Sequence, residues 1–365
     1  MRIALLSSAT NLHTTRWVEF FTERGHEVHL LSIQHGKHIC ERQYSLSKSD
    51  GISQLKVFRA VGKARRLLKQ INPDVVLGQY LTSHGLLGAL AKVHPLVVVA
   101  WSPELPYVAN RHAYDRWRMR KIFRRAELTL VCGRHLINDA IRFGADQRRV
   151  AATYVGIDPT RFPLGSEAKR EPLLLFTSRE FKDILHVDTV IRALPAVVSR
   201  FPDVKLILAN DGPLRREMIE LSVELGVASN CDFIGRLSQA ETASYLRRAA
   251  VYVSCSEVDG MSISLLETMS SGAYPVVSDI VANREILTEP HQGSLFPVGD
   301  HETLAKQLIE ILENPARRTT AQQLNRELAL TLGSRENNLA LIEKRLLALV
   351  AGEEFVGESW SSGVV

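Results

Sequence analysis

The chain has 365 residues, 45% of them apolar and 23% charged, with a formal charge of +5. That length exceeds what one hydrophobic core usually supports, so two domains of similar size are expected, and no apolar run is long enough to span a bilayer. Four scattered cysteines (Cys40, Cys132, Cys231 and Cys255) fall in no CxxC or Cys/His metal spacing, which excludes a disulfide-stapled scaffold and reads as a reduced, cytoplasmic chain.

Strands and helices alternate from the start, the pattern of parallel sheets covered on both faces. Ile3 to Leu6 reads as a strand, because polar Ser7, Ser8, Thr10 and Asn11 cut the apolar run too early for a leader. Thr14 to Arg24 follows as a helix, Gly25 stops it, and Val28 to Ser32 is the next strand. Lys56 to Arg59 reads as a strand and Val61 to Gln70 as a basic helix. Then come strand Asp74–Gly78, helix Ser83–Lys92 and buried strand Leu96–Ala100. Arg111 to Arg125 holds seven basic residues against Asp115, interleaved with Trp117, Met119, Ile122 and Phe123. Such a helix fits an anionic membrane surface or an acidic partner, and equally a solvated face. No module for nucleic acid accompanies it, so nucleic acid is not expected. Strand Leu128–Val131, helix His135–Phe143 and strand Val150–Tyr154 close the first half.

The polar stretch Gly165 to Pro172 is the clearest linker. It divides an N-terminal domain, 1–165, from a C-terminal domain, 166–335. A closing helix, 336–351, is expected to pack back toward the first domain, and 352–365 to fray. Beyond the linker, strands are expected at Leu173–Thr177, Lys205–Ala209, Cys231–Ile234, Val251–Ser256 and Pro275–Ser278. Helices are expected at Val187–Arg200, Leu214–Leu225, Gln239–Arg248 and His301–Glu313. Two domains of this α/β kind place a cleft between them, where ligands commonly bind.

The segment Asp259 to Glu267, closed by Ser271-Gly272, sits between two strands and sets two carboxylates around a turn opening a helix. Such a loop lies at the carboxyl edge of the sheet, where open α/β sheets bind ligands. The amides of Met261 and Ser262 would start the helix and favour an anion such as a diphosphate. Three other turns follow strands and reach the same rim: Ser178-Arg179, Asn210-Asp211-Gly212-Pro213 and Gly235-Arg236-Leu237. An arginine for phosphate, backbone amides, and carboxylates for hydroxyls outline a nucleotide-sugar site. An ordinary βαβ turn with a capping Asp is the simpler reading of Asp259 taken alone.

These motifs resemble the retaining GT-B glycosyltransferases of family four (glycosyl transferases group 1), in a branch with a DG-x-S variant of the E-x7-E motif. Ala209 to Arg215 is similar to the GxGPLR turn, Cys231 to Leu237 to the VxFxGxL strand and loop, and Asp259 to Gly272 to E-x7-E running into LLEAMxxG. Asn283-Arg284-Glu285, Arg24 to Val28 (RGHEV) and Tyr154 to Phe162 (NGVDxxxF) extend the resemblance over nearly the whole chain. The resemblance implies two Rossmann-like doubly wound domains facing an interdomain cleft. It implies sugar transfer from a nucleotide-sugar donor such as a UDP- or GDP-sugar to a glycan or lipid-linked acceptor, with retention and without a metal or other cofactor. Arg179 and the amides of Gly260, Met261 and Ser262 would take the diphosphate, and Glu267 the ribose hydroxyls. Backbone at Arg236-Leu237 and the Asp211-Gly212 turn would lie near the base and phosphates, and Asp259 would meet the transferred sugar.

The chain departs from the pattern at named places. The GRL-xxx-KG segment is replaced by Ser178-Arg179-Glu180-Phe181, leaving Lys182 to complete the phosphate clamp. The usual histidine after the fourth strand is absent, so Glu104 is the candidate for part of its work, and His13 or Arg16, in the first strand–helix loop, is expected to face the cleft. Peripheral placement on the inner membrane face would suit the basic helix. A GT-B-like UDP-sugar epimerase and a non-catalytic nucleotide-sugar-binding protein are the alternative readings.

Overall fold

The computed structural model describes residues 1–47, 51–101, 105, 112–154, 156–166 and 170–353. They form two units, Met1–Val155 with the segment from Glu336, and Gly156–Arg335.

The first unit is built on a seven-stranded sheet of β1 (Arg2–Leu6), β2 (Glu27–Ser32), β3 (Gln43–Ser45), β4 (Val75–Gln79), β5 (Leu96–Ala100), β6 (Leu128–Cys132) and β7 (Val150–Thr153), in the order β3-β2-β1-β4-β5-β6-β7. Every pairing is parallel. β4, β5 and β6 are buried at all positions, which is why they read as unbroken apolar runs instead of alternating ones. Helix α1 (Leu12–Glu23) starts where the Asn11 side chain accepts from the His13 amide at 2.8 Å, and buries Thr14, Trp17, Val18 and Phe21.

The expected strand at Lys56–Arg59 is instead the first turn of α2 (Gln54–Ile71). Ser53 caps that helix by accepting from the Lys56 amide, and Val57, Ala60, Ala64, Leu68 and Ile71 are buried at helical spacing. The longer helical period outweighs the local strand preference of Val57 and Phe58. A π-helical turn, Tyr80–Gly85, precedes α3 (Leu86–Ala91) in place of a helix starting at Ser83. Helices α4 (Ala113–Phe123) and α5 (Ile137–Arg142) complete the crossovers of this sheet.

The second unit has a six-stranded parallel sheet of β8 (Glu171–Thr177), β9 (Lys205–Ala209), β10 (Cys231–Gly235), β11 (Ala249–Ser254), β12 (Tyr274–Ser278) and β13 (Ser294–Phe296), in the order β10-β9-β8-β11-β12-β13. Its two cores follow strand alternation. Leu175, Leu206, Leu208, Val251 and Val253 pack on one face, with residues of α6 (Val187–Arg200), α7 (Arg215–Glu224) and α11 (His301–Glu313). Leu174, Phe176, Ile207, Ala209 and Tyr252 pack on the other, with Ala243 and Leu246 of α8 (Gln239–Arg248). Helices α9 (Ile263–Ser271), α10 (Val281–Ile286) and α12 (Pro315–Thr331) follow. The sequence reading had no β3, β13, α10 or α12.

The division falls at Val155/Gly156, earlier than the expected boundary at 165. Residues from Gly156 onward are fastened to the second unit. The Ile157 amide donates to Gly333 O at 2.6 Å, Phe162 is 1% exposed in the second core, and the Gly165 amide donates to Ser271 O at 3.0 Å. Helix α13 (Arg335–Ala351) packs on the first unit. There Glu343 accepts from Arg24 Nε and from His26 Nε2, each at 2.6 Å, and Arg345 Nη1 donates to Ala152 O at 2.9 Å. Two residues of the RGHEV run thus grip this helix.

Candidate functional site

In the second sheet the strand order reverses between β8 and β11, the topological switch point where α/β sheets open a crevice. The chain leaves β8 through Ser178-Arg179, and leaves β11 through a loop reaching Asp259 and Ser262 before α9 begins. A pocket of about 360 Å³ opens there, lined among others by Phe162, Arg179, Leu237, Asp259, Ser264 and Glu267.

Arg179 is the hub. Its Nε donates to Ser254 Oγ at 2.9 Å, and its Nη2 donates to Asp259 Oδ2 at 2.8 Å and to Ser262 Oγ at 3.0 Å. Burial works against its charge, but the charges of Asp259 and Glu267 and the Asp259 hydrogen bond outweigh it. The guanidinium therefore stays protonated above its ordinary range. The other carboxylate oxygen of Asp259 accepts from the Gly260 amide at 2.9 Å. Asp259 thus closes the turn and pairs with the arginine at once.

Helix α9 starts at Ile263, two residues later than the sequence reading expected. The Asp259-to-Gly260 contact and the Met261 carbonyl, which accepts from the Ile263 amide at 2.8 Å, make an irregular turn that delays it. The Met261 and Ser262 amides donate to no backbone carbonyl among the described residues. Glu267 lies one turn beyond Ile263 and Ser264, and all three line the pocket. Leu265, Leu266 and Met269 face the core, and Arg326 of α12 secures the helix end by donating to Ser270 O at 2.7 Å.

A polar chain supports Ser254 from behind. Its hydroxyl lies 3.5 Å from Ser256 Oγ, Ser256 O accepts from Ser278 Oγ, and Ser278 O accepts from Asn283 Nδ2 at 2.8 Å. This gives the Asn283-Arg284-Glu285 run a place: Asn283 is buried under the strand ends, whereas Arg284 pairs with Asp279 at the surface.

The other expected residues fall elsewhere. Leu237 lines the pocket, while Arg236 beside it is exposed. Asp211 and Gly212 are not among the lining residues. Their turn is held by the Gly212 amide donating to Asp211 Oδ1 at 2.9 Å, and a Cβ on Gly212 would come within 2.4 Å of Phe181 O. Asn210 ahead of it lines the pocket with φ +94°, donating to Ser178 O at 3.2 Å. Lys182 lies outside the pocket and pairs with Glu180, so the two expected cations do not meet there. His13 belongs to the first unit, where its ring stacks on Trp101 at 5.5 Å. Glu104 and Arg111 fall outside the described residues.

The sequence reading missed Ser254, Ser264, Gln239 and Thr242. The Ser264 hydroxyl is buried with no hydrogen-bond partner among the described residues, and Gln239 and Thr242 line the wall beside Leu237. The alternation Ser262-Ile263-Ser264 at a helix entry was the one available signal.

Residues 161–327 match the family model of glycosyl transferases group 1, and residues 2–128 match that of glycosyl transferase 4-like. The second unit is a glycosyl transferases group 1 domain. The pocket at the switch point lies wholly within the residues matched to this group 1 domain. Among curated relatives, a phosphatidyl-myo-inositol mannosyltransferase of Mycolicibacterium smegmatis is 32% identical over 183 residues, covering 46% of each chain. An alpha-monoglucosyldiacylglycerol synthase of Streptococcus pneumoniae is 22% identical, over 70% of this chain and 62% of that one. The aligned region thus spans about half the length of the first of these. Among solved structures, a sucrose-phosphate synthase from Thermosynechococcus elongatus superposes with a TM-score of 0.81 at 17% identity, over 97% of this chain and 100% of that one. Anabaena Alr3699/HepE in complex with UDP and glucose gives 0.79 at 15% identity, over 95% and 100%. At these identities the likeness establishes the fold, the GT-B pair of Rossmann-like α/β units.

Proposed function

We propose that the chain is a glycosyltransferase that moves a hexose from a nucleotide-sugar donor to an acceptor, with its donor site at the β8/β11 switch point. The observation that carries this reading is the fixed guanidinium of Arg179 in one pocket with the Glu267 carboxylate and the turn before α9. A diphosphate leaving group gathers negative charge as the glycosidic bond breaks, and a fixed cation with oriented amides stabilises that charge. Glu267 takes ribose hydroxyls, and the wall of Leu237, Gln239 and Thr242 takes the nucleoside. Retention of configuration and independence from a metal are proposed from the resemblance to retaining GT-B enzymes.

A lipid-linked or cell-surface glycan acceptor is proposed for the first unit, because several relatives are named for mannosyl or glucosyl transfer to lipids. Helix α4 suits such an acceptor. Arg118 is buried against Asp115, but Tyr114 and Trp117 are 42% and 47% exposed, and Lys121 lies 5.7 Å from the Trp117 ring. With exposed Arg116, Arg120 and Arg124 they form an aromatic and cationic face fitted to an anionic membrane surface. No helix among the described residues is long and apolar enough to cross a membrane. Peripheral attachment on the cytoplasmic side is therefore the proposed location.

A thermal-shift screen of UDP, GDP, ADP and their common sugars tests the donor site. A ligand at a hundred times its dissociation constant stabilises the fold by about 2.7 kcal/mol. No shift with any of them would overturn the reading. Epimerised free donor after incubation without acceptor, seen by NMR, would replace transfer by epimerisation. Co-sedimentation with phosphatidylglycerol vesicles, lost for Trp117→Ala with Lys121→Ala and in high salt, tests the membrane face.

A further inference from the structure

We infer that Ser254 and Ser262, together with Asp259, are positioning residues that fix the Arg179 guanidinium before any ligand arrives. On this view Asp259 belongs to the arginine, not to the transferred sugar. The inference rests on the donor-site reading above and assigns these three residues within that site.

A guanidinium carries five N–H groups in a planar fork. Three of them are engaged by acceptors from both ends of one loop: Ser254 at the end of β11, and Asp259 and Ser262 before α9. Only the two Nη1 hydrogens have no acceptor among the described residues, so the fork is held by one side and left open on the other. Ser262 supplies independent evidence. It occupies the N-cap position of α9, where a serine hydroxyl ordinarily accepts from a helix amide, yet it makes no such contact and accepts from Arg179 instead. Both serines are almost wholly buried, at 1% and 0% exposure, so these hydroxyls have left water for the arginine.

The arrangement answers the loss of a second cation. Among the described residues lining the pocket Arg179 is the one cation, and Lys182 is paired with Glu180 outside it. A lone arginine that had to be ordered on binding would weaken its grip on phosphate, because long side chains lose much rotamer freedom. Three acceptors remove that cost beforehand. Asp259 also offsets the arginine's charge, so orientation is what the cradle adds, and the charge-neutral serine changes isolate it.

The test is calorimetry on the whole chain with two kinds of probe, the nucleoside diphosphates UDP, GDP and ADP in turn, and inorganic pyrophosphate. The proteins are wild type, S254A/S262A, R179A and the triple variant. We expect S254A/S262A to weaken both probes by about tenfold. The triple variant should bind no more weakly than R179A alone, since serines that act through the arginine have nothing left to position. Ser262→Thr, which keeps the hydroxyl, should bind like wild type. Unchanged affinity in S254A/S262A overturns the inference. A loss that adds in full to that of R179A also overturns it, because the serines would then touch the ligand themselves. Pyrophosphate binding with the expected pattern but no nucleoside diphosphate binding would sink the donor-site reading and leave the cradle standing. Binding of neither probe would remove both.

Discussion

The two units repeat one architecture, and their switch points differ in what fills them. Between β1 and β4 of the first sheet, Ser7 Oγ lies 2.7 Å from Thr14 Oγ1 and donates to Gln79 Oε1 at 2.8 Å, while Asn11 Nδ2 donates to the Tyr80 hydroxyl at 2.5 Å. Short neutral side chains thus tie the strand ends to one another. Between β8 and β11 of the second, the corresponding ends carry an arginine, two carboxylates and a pocket. A neutral hydrogen-bonded cluster costs little to bury, whereas a charged one is stable only with partners arranged around it. The contrast teaches that the doubly wound sheet supplies the place and the side chains at its strand ends decide whether a ligand can use it.

The sharpest way to break the contrast is Arg179→Ala. Loss of the fixed cation should lower kcat/KM for transfer by about a hundredfold or more, read from donor consumption with acceptor present. Unchanged turnover would show that the charged crevice does not drive the reaction. Gly212→Ala should come next, because its Cβ would approach Phe181 O to 2.4 Å and must move backbone. About 2 kcal/mol of stability should be lost from the second unit, measured by urea unfolding followed by hydrogen exchange of β9 and β10 amides. Glu267→Gln should weaken nucleoside diphosphate binding by about tenfold in calorimetry, with unfolding midpoints unmoved.

The smallest effect separates the units by acid. His84, 0% exposed in the first unit, accepts from the Ile33 amide at 3.3 Å, and burial pushes its pKa down to about 3 from a usual 6.5. The unfolded chain takes up a proton below pH 6.5, while the folded one does not until near pH 3. Stability should therefore fall between these values, by about 1.4 kcal/mol per pH unit. Tryptophan fluorescence reports the first unit, since Trp17, Trp101 and Trp117 lie there and 156–335 contains none. Urea midpoints followed by fluorescence at pH 7.0 and 5.5 should differ more in wild type than in His84→Gln. Equal differences would remove His84 as the cause.

Much of the fold was legible because buried parallel strands announce themselves. Val75–Gln79, Leu96–Ala100 and Leu128–Cys132 are unbroken apolar runs, and the helices between them carry their own stops. The misreadings have a common physical origin. At Lys56–Arg59 a short strand-forming run sat inside a longer helical period. β13, three residues long, is a strand only because it pairs with β12. Helix α12 buries Arg318, Gln322 and Asn325, polar residues that no hydrophobic pattern would place against a core. In the site, Arg179, Asp259 and Glu267 were marked by charge at strand and helix ends. Ser254 and Ser264 were not, since a serine becomes informative only when its partner, or the absence of one, is known.

The sequence by itself determined the doubly wound sheets, the strand-end turns and the Asp259-to-Gly272 segment, because local period, turn residues and the order of motifs are properties of the linear chain. Which of those turns meet was decided by strand order. Arg179 and Asp259, eighty positions apart, meet because β8 and β11 are neighbours, and Lys182, three residues from Arg179, is turned away toward Glu180. Hydrogen bonds act over ångströms, so the role of a polar side chain is fixed by what folding brings beside it.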